Sequence, residues 1–366
     1  MTQIVPDNRK ISPSLVFFLI HSMQIGVGVL GFQRIIAKSA GYDAWISILI
    51  AGLAVHIIVW MMYKMLRIAD GDILAIHTYL LGKKAAKILC SILILYFVLL
   101  TTAVLRNFIE IVQVWMFPHL HTFWFGLVFL LLVLYVIFGG FRTVTGIAFF
   151  SVLLPLYILF LFLYTVPFSD FTNMLPILDH SIKDILLSSR DMSFSIVGFE
   201  TLLFFYPFIK NPEKSKKWAH LGIAYTTFAY FYLAIITFAY FPEAQLDKNV
   251  WPTLTLWKII EMPFVERFEY IGIANWCLII LPNICLALWC VSRLTKQIFS
   301  VQQRRALPVL ALLVLVGISL LVTRDQINTV TNITGKFGFY FNFVYVPILF
   351  IVILITKKVR SHGKDT

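Results

Sequence analysis

Gly198, Phe199 and Glu200 stand in the middle of an apolar stretch, MSFSIVGFETLLFFYPFIKNPEK, that runs from Met192 to Lys214. Glycine loosens a helix, and an ionisable side chain at bilayer depth costs at least about 2.5 kcal/mol unless it faces protein or water. The chemistry this combination offers is recognition rather than bond making. A helix broken here exposes N–H groups that can hold an anionic group and carbonyls that can hold a cationic one. Val197, Gly198 and Phe199 would supply carbonyls and one wall of a pocket. Glu200 has two readings. It answers a ligand ammonium or changes protonation in a conformational step, or it is a hydrogen-bonded carboxylate that fixes its helix against a neighbour.

A second group of glycines, Gly26, Gly28 and Gly31, interrupts the first apolar run. They would let the backbone unwind and approach a ligand closely; close helix–helix packing through small residues is the alternative. Tyr96 and Leu100 lie four apart about halfway along the third apolar run, at a depth suited to a pocket wall, with plain packing an equal reading. Arg106 and Glu110, also four apart, share a helix face nearer the outer leaflet and are expected to pair within their helix, ordering an outer vestibule. Asn283, Cys285, Ala287 and Leu288 are pocket-side positions by depth. His21 and Gln24 are expected to form a packed, hydrogen-bonded pair, and Pro155 and Pro282 to kink their helices. No metal-ligand cluster, phosphate loop or nucleophile–base constellation occurs in the sequence, and His119 and His121 fall at a membrane edge. The sequence therefore predicts no enzyme, no metal and no cofactor.

The elements that must position these residues follow from composition. The chain has 366 residues, 60% of them hydrophobic and only 13% charged, whereas a soluble domain carries roughly 25% charged residues. Repeated apolar runs of about 20 residues make it an all-α polytopic membrane protein. One transmembrane domain covers 1–366, and no stretch remains for a soluble domain. The first apolar run, Leu15 to Phe32, is too long for a signal-peptide core and reads as a retained span. The net charge of +12 is scattered among short connectors, which argues for topology signals and against nucleic acid. Cys90, Cys277, Cys285 and Cys290 all fall inside apolar runs, so no disulfide framework is expected.

Ten spans are expected. Span 1 runs from the Ser12-Pro13 helix start to about Lys38, span 2 covers about 45–66, span 3 85–116, span 4 123–138 and span 5 143–166. Spans 6 to 10 cover about 185–209, 218–241, 270–299, 306–322 and 337–356. Short interfacial helices are expected between Pro242 and Glu269. Basic residues mark the termini and the 2–3, 4–5, 6–7 and 8–9 connectors, Lys364 among them. Acidic residues, including Asp170, Glu243, Glu261 and Asp325, mark the other side. Both termini are therefore expected in the cytoplasm.

The two interrupted spans, 1 and 6, stand five apart and so run in opposite directions, as an inverted 5+5 repeat requires. The repeats would cover about 12–168 and 185–356. At these residues the chain resembles known proteins. Gly198-Phe199-Glu200 followed by Lys210-Asn211-Pro212-Glu213-Lys214 resembles the span-6 signature of amino acid–polyamine–organocation (APC) transporters, and the glycine-rich span 1 fits the same superfamily. More narrowly, the chain is similar to the GerB family, the permease-like subunit of bacterial spore germinant receptors. Gln24-Ile25-Gly26-Val27-Gly28-Val29-Leu30 with Ala37-Lys38-Ser39-Ala40-Gly41 and Trp45-Ile46-Ser47, Arg106-Asn107-Phe108-Ile109-Glu110, and the length with its short termini carry that resemblance over essentially the whole chain. One departure is Gln33, where the family pattern has a proline before the arginine.

The resemblance implies a LeuT/APC-like fold with broken helices 1 and 6. It implies nutrient sensing in the spore inner membrane, with a small germinant, an amino acid first, bound among Gly26, Gly28, Gly31, Tyr96, Leu100, Val197, Gly198, Phe199, Glu200 and Ala287. A larger A-type membrane subunit and a lipid-anchored C-type subunit would be its partners, beside membrane lipid. The alternative is a secondary transporter that moves an amino acid with a proton or sodium ion, and a channel-like role in ion release is a third reading.

Overall fold

Gly26 and Gly198 each interrupt a helix in the computed structural model, which describes residues 5–260 and 266–362; Glu261 and Lys364 lie outside the described residues. Helix α1, Val16–Gln24, stops where Ile25 and Gly26 turn extended. A single 3-10 turn follows, and the chain resumes as α2, Phe32–Ala40. Ser12 sits before the 3-10 turn Pro13–Leu15 that leads into α1, although its hydroxyl makes no capping bond. After the turn at Gly41, α3 spans Ala44–Ala69.

Helix α4 covers Ile73–Trp115 and begins earlier than expected, because Asp72 caps it by accepting from the Ala75 N–H at 3.2 Å. Gly82, at a φ of 77°, divides a short leading segment from the spanning part. The Gly139-Gly140 turn joins α5, Thr122–Phe138, to α6, Phe141–Leu153. Pro155 lacks a donor N–H, and there the helix passes through a 3-10 turn into the short α7, Tyr157–Leu161, and a 3-10 stretch to Phe168.

Helix α8, Ile182–Ser195, starts on a reciprocal capping box between Ser181 and Asp184. The chain breaks at Ile196 to Gly198 and continues as a 3-10 turn, Phe199–Thr201, and the four-residue α9, Leu202–Phe205. Asn211, with a φ of 48°, turns the chain, and Pro212 opens α10, Pro212–Tyr240. Two short helices follow, α11 at Glu243–Lys248 and α12 at Pro252–Trp257, where interfacial helices were expected.

Helix α13, Phe268–Phe299, is the most enclosed long helix, with a largely buried length from Ile279 to Leu294. It packs along α4 and touches α1. Helix α14 is Gln303–Leu320. Helix α15, Arg324–Tyr340, passes through one π-helical turn at Phe341–Tyr345 into α16, Val346–His362. The expected start of the last span at Phe337 is thus corrected to Arg324. A Thr323–Gln326 capping box starts the helix in a stretch whose polarity reads as a connector.

Among the described residues, seven helical stretches are long and apolar enough to cross a membrane, and Thr122–Phe138 is a shorter apolar helix. Their outer faces carry Leu95, Val128 and Phe160, each more than 60% exposed. Apolar surface on that scale suits lipid rather than water. The chain is a multi-pass, all-helical membrane protein. The two interrupted segments lie side by side at its centre, with α2 against α8 and α1 against the turn Phe199–Thr201. At one end, Ile11 forms a parallel bridge with Ile209: its N–H donates to the Phe208 carbonyl at 2.8 Å, and its carbonyl accepts from the Lys210 N–H at 2.9 Å.

Candidate functional site

Gly198 meets α1 so closely that a Cβ there would lie 2.6 Å from the Met23 carbonyl oxygen, and its φ of 114° is a conformation that side chains resist. Gly28 faces Ser195, where a Cβ would lie at an ordinary 3.4 Å. The two breaks are therefore in contact, backbone against backbone.

Breaking a helix frees carbonyls, and each one left buried without a donor costs about 1–3 kcal/mol. Side chains from neighbouring helices cover them. On α13, Asn283 donates through Nδ2 to the Ser22 carbonyl at 2.5 Å and the Ile25 carbonyl at 3.4 Å, and Trp276 donates through Nε1 to the Gly26 carbonyl at 3.3 Å. The Tyr230 hydroxyl on α10 lies 3.0 Å from both the Gln24 and Ser195 carbonyls. Gln24 donates to the Ile196 carbonyl at 3.1 Å, and Thr201 to the Gly198 carbonyl at 2.7 Å.

The donor side of the second break is filled from within. Glu200 is 0% exposed. One of its oxygens accepts from the Gly198 N–H at 2.7 Å and from Asn342 at 3.0 Å, and the other accepts from the Tyr96 hydroxyl at 2.7 Å. A carboxylate thus sits on the N-terminal end of the second half-helix, where an anion is favoured.

Between the breaks lies a cavity of about 230 Å³. Of the positions expected to line a pocket, Gly26, Gly28, Leu100, Val197, Gly198, Asn283 and Ala287 form its wall, joined by Gln24. The structure turns the other six elsewhere, with Cys285 and Leu288 fully buried off the wall. Gly31 packs under the connector before α12, where a Cβ would lie 2.6 Å from the Val250 carbonyl. Phe199 is fully buried, edge-on to Phe343. Tyr96 and Glu200 are bonded to each other behind the wall, and Tyr96 stacks on Phe337. The Glu200 carboxyl is held by Tyr96 on α4, Asn342 in the π-helical turn and the Gly198 N–H.

The cavity wall itself contains unmet demand. Gln24 Oε1 and Asn283 Oδ1 are buried acceptors with no donor among the described residues. The sequence reading missed two charged residues on the same wall, Asp191 and Lys336. Asp191 is paired with Arg190 at 2.9 Å, whereas exposed Lys336 has no carboxylate within 4.0 Å among the described residues. Lys336 lies about 18 Å along α15 from its start. The T-x-x-Q capping signal at Thr323 was the clue that it belongs to a helix.

Two expected pairs are corrected. Arg106 and Glu110 do not pair within α4. Arg106 donates to the Leu321 carbonyl at 2.7 Å, closing the end of α14, and Glu110 pairs with Arg324 at the start of α15. Partners on adjacent helices reach them more directly than they reach each other. His21 and Gln24 also part company: His21 Nδ1 is 2.8 Å from the Thr226 hydroxyl, and Gln24 turns to the second break.

The sequence matches a family model described as "Spore germination protein" over residues 10–330. It is 42% identical to the spore germination protein GerQB of Bacillus cereus over 97% of this chain and 99% of that protein. With spore germination protein B2 of Bacillus subtilis (strain 168) it shares 24% identity over 74% of each chain. Among solved structures, a substrate-bound, outward-open Na+-coupled sialic acid symporter superposes with a TM-score of 0.66 over 92% of this chain and 79% of the other, at 13% identity. MhsT in complex with L-phenylalanine does so with a TM-score of 0.62 over 93% and 98%, also at 13% identity. The fold is that of the LeuT-like transporters.

Proposed function

The chain belongs to the spore germination protein family, as a B-type, non-enzymatic subunit, and we propose that it senses a nutrient germinant in the cavity between its two helix breaks. The observation that carries this reading is the wall itself. Both breaks contribute to it, and two buried side-chain oxygens on it lack donors among the described residues. A ligand bearing N–H or ammonium donors satisfies those oxygens, and its carboxylate would meet Lys336 at the same cavity. That pattern of demand suits a small amino acid, with Leu100, Val197 and Ala287 against its side chain.

We read the two interrupted segments, the seven long helical stretches (of which Phe32–Ala69 shares α2 with the first interrupted segment) and Thr122–Phe138 as ten spans in an inverted 5+5 repeat with both termini in the cytoplasm. The cell site is the spore inner membrane. Ligand binding biases a conformational equilibrium only by its differential affinity for the two states, and A-type and C-type subunits receive that bias.

Secondary transport of an amino acid with a proton or sodium ion is the second reading, favoured by the likeness of the fold to symporter structures. The test compares germination of spores lacking this protein with uptake of labelled amino acids by vesicles that contain it alone. Loss of a nutrient response without concentrative uptake is expected. Robust uptake by the isolated protein overturns the receptor-only reading.

A further inference from the structure

We propose that the Asn283 side chain is a built-in replacement for a coupling cation at the first helix break, so that ligand recognition here needs no sodium. The inference rests on the cavity reading above and concerns what holds that cavity in shape. The carbonyls of Ser22 and Ile25 stand at the C-terminal end of α1, where the helix dipole is negative. In folds with interrupted helices, such freed carbonyls are where a sodium ion is coordinated. Here an amide occupies that place: Asn283 Nδ2 reaches the two oxygens at 2.5 and 3.4 Å, and the residue is 5% exposed.

The orientation of the amide is dictated by its surroundings. Reversed, it would set its oxygen against two carbonyl oxygens in a buried space, with no donor among the three. Pro282 precedes it within α13, and Trp276, two turns earlier on the same face, covers the next freed carbonyl, that of Gly26. This face of α13 therefore supplies neutral N–H donors to the break. The other half of the amide completes the device. Asn283 Oδ1 has no donor and would lie 3.6 Å from a Cβ at Gly26, on the cavity wall. One amide thus faces the ligand with its oxygen and the break with its nitrogen. A ligand N–H on Oδ1 strengthens the N–H bonds on the far side, because linked hydrogen bonds polarise one another. Asn283 is a positioning residue that ties occupancy of the cavity to the shape of α1.

The test uses the purified full-length protein in lipid nanodiscs, with the melting midpoint measured in sodium, lithium and choline chloride at equal ionic strength. The wild-type midpoint is expected to be the same in all three. Asn283→Asp, measured near pH 9 so that its carboxylate is ionised, points an anion at the two carbonyls and is expected to melt several degrees higher in sodium or lithium than in choline. A purely structural asparagine would give a destabilised variant indifferent to the cation. A wild-type midpoint raised by sodium overturns the proposal, and so does an Asn283→Asp protein blind to the cation. The wild-type arm stands even if the variant does not fold. No nutrient is present in either arm, so failure of the cavity reading, seen in germination assays, is a separate result.

Discussion

Tyr96 donates a hydrogen bond to Glu200 at 2.7 Å, and both side chains are buried behind the wall of the cavity rather than on it. The carboxylate gathers the Gly198 N–H, the Asn342 amide and the Tyr96 hydroxyl at one point. It closes the break at its donor end, and it binds α4, the second half-helix of span 6 and the π-helical turn of the last span into one cluster.

Shape and hydrogen bonding at this point therefore matter more than charge. Glu200→Gln keeps an oxygen for the Gly198 and Asn342 donors, and its amide can donate to a Tyr96 hydroxyl turned to accept. It is expected to retain abundance and a nutrient response within a fewfold of wild type. Glu200→Ala strands three buried groups at about 1–3 kcal/mol each and is expected to collapse abundance. Immunoblots and germination midpoints read both. A null response in an abundant Glu200→Gln protein would restore a charged role for the residue.

Two of the glycines that line the cavity, Gly198 and Gly26, should fail in different ways. At Gly198, even alanine meets the Met23 carbonyl at 2.6 Å and must adopt a positive φ, so Gly198→Ala is expected to lower the melting midpoint. Gly26 has a negative φ and 3.6 Å of room before Asn283 Oδ1. Gly26→Ala should therefore fold normally and Gly26→Leu should fill the cavity, abolishing the response at normal abundance. A full response from abundant Gly26→Leu spores would remove the cavity from the mechanism.

Lys336 is expected to read the carboxylate of an amino acid. Lys336→Met should shift the germination midpoint for such a nutrient by about tenfold, or about 1.4 kcal/mol, and Lys336→Arg should recover part of it. The same variants should respond normally to a nutrient without a carboxylate. Equal sensitivity of Lys336→Met and wild type to every carboxylate nutrient would rule out this contact.

The breaks were legible because glycine and a carboxylate inside an apolar run conflict with a continuous lipid-facing helix. Gly26 and Gly28 were singled out by the glycine interruption of the first apolar run, and Leu100 by its depth. Depth did not reveal direction: Tyr96 lies on the same face as Leu100, one turn away, and falls behind the wall. Nor does a spacing of four disclose a competing partner. Arg106 and Glu110 are suitably placed for each other, yet α14 and α15 bring the Leu321 carbonyl and Arg324 to them. Lys336 was hidden by polarity, because the first turns of α15 have a connector's composition. Only the capping box at Thr323 marks them as helix.

The bridge between Ile11 and Ile209 gives the broken helices a shared anchor. Two backbone hydrogen bonds tie the residues that lead into the first broken segment to those that follow the second. A tilt of one inner half-helix must therefore drag the base of the other. The two broken helices are yoked like the arms of tongs, and a small change of grip at the cavity would emerge at the far end as a single concerted swing.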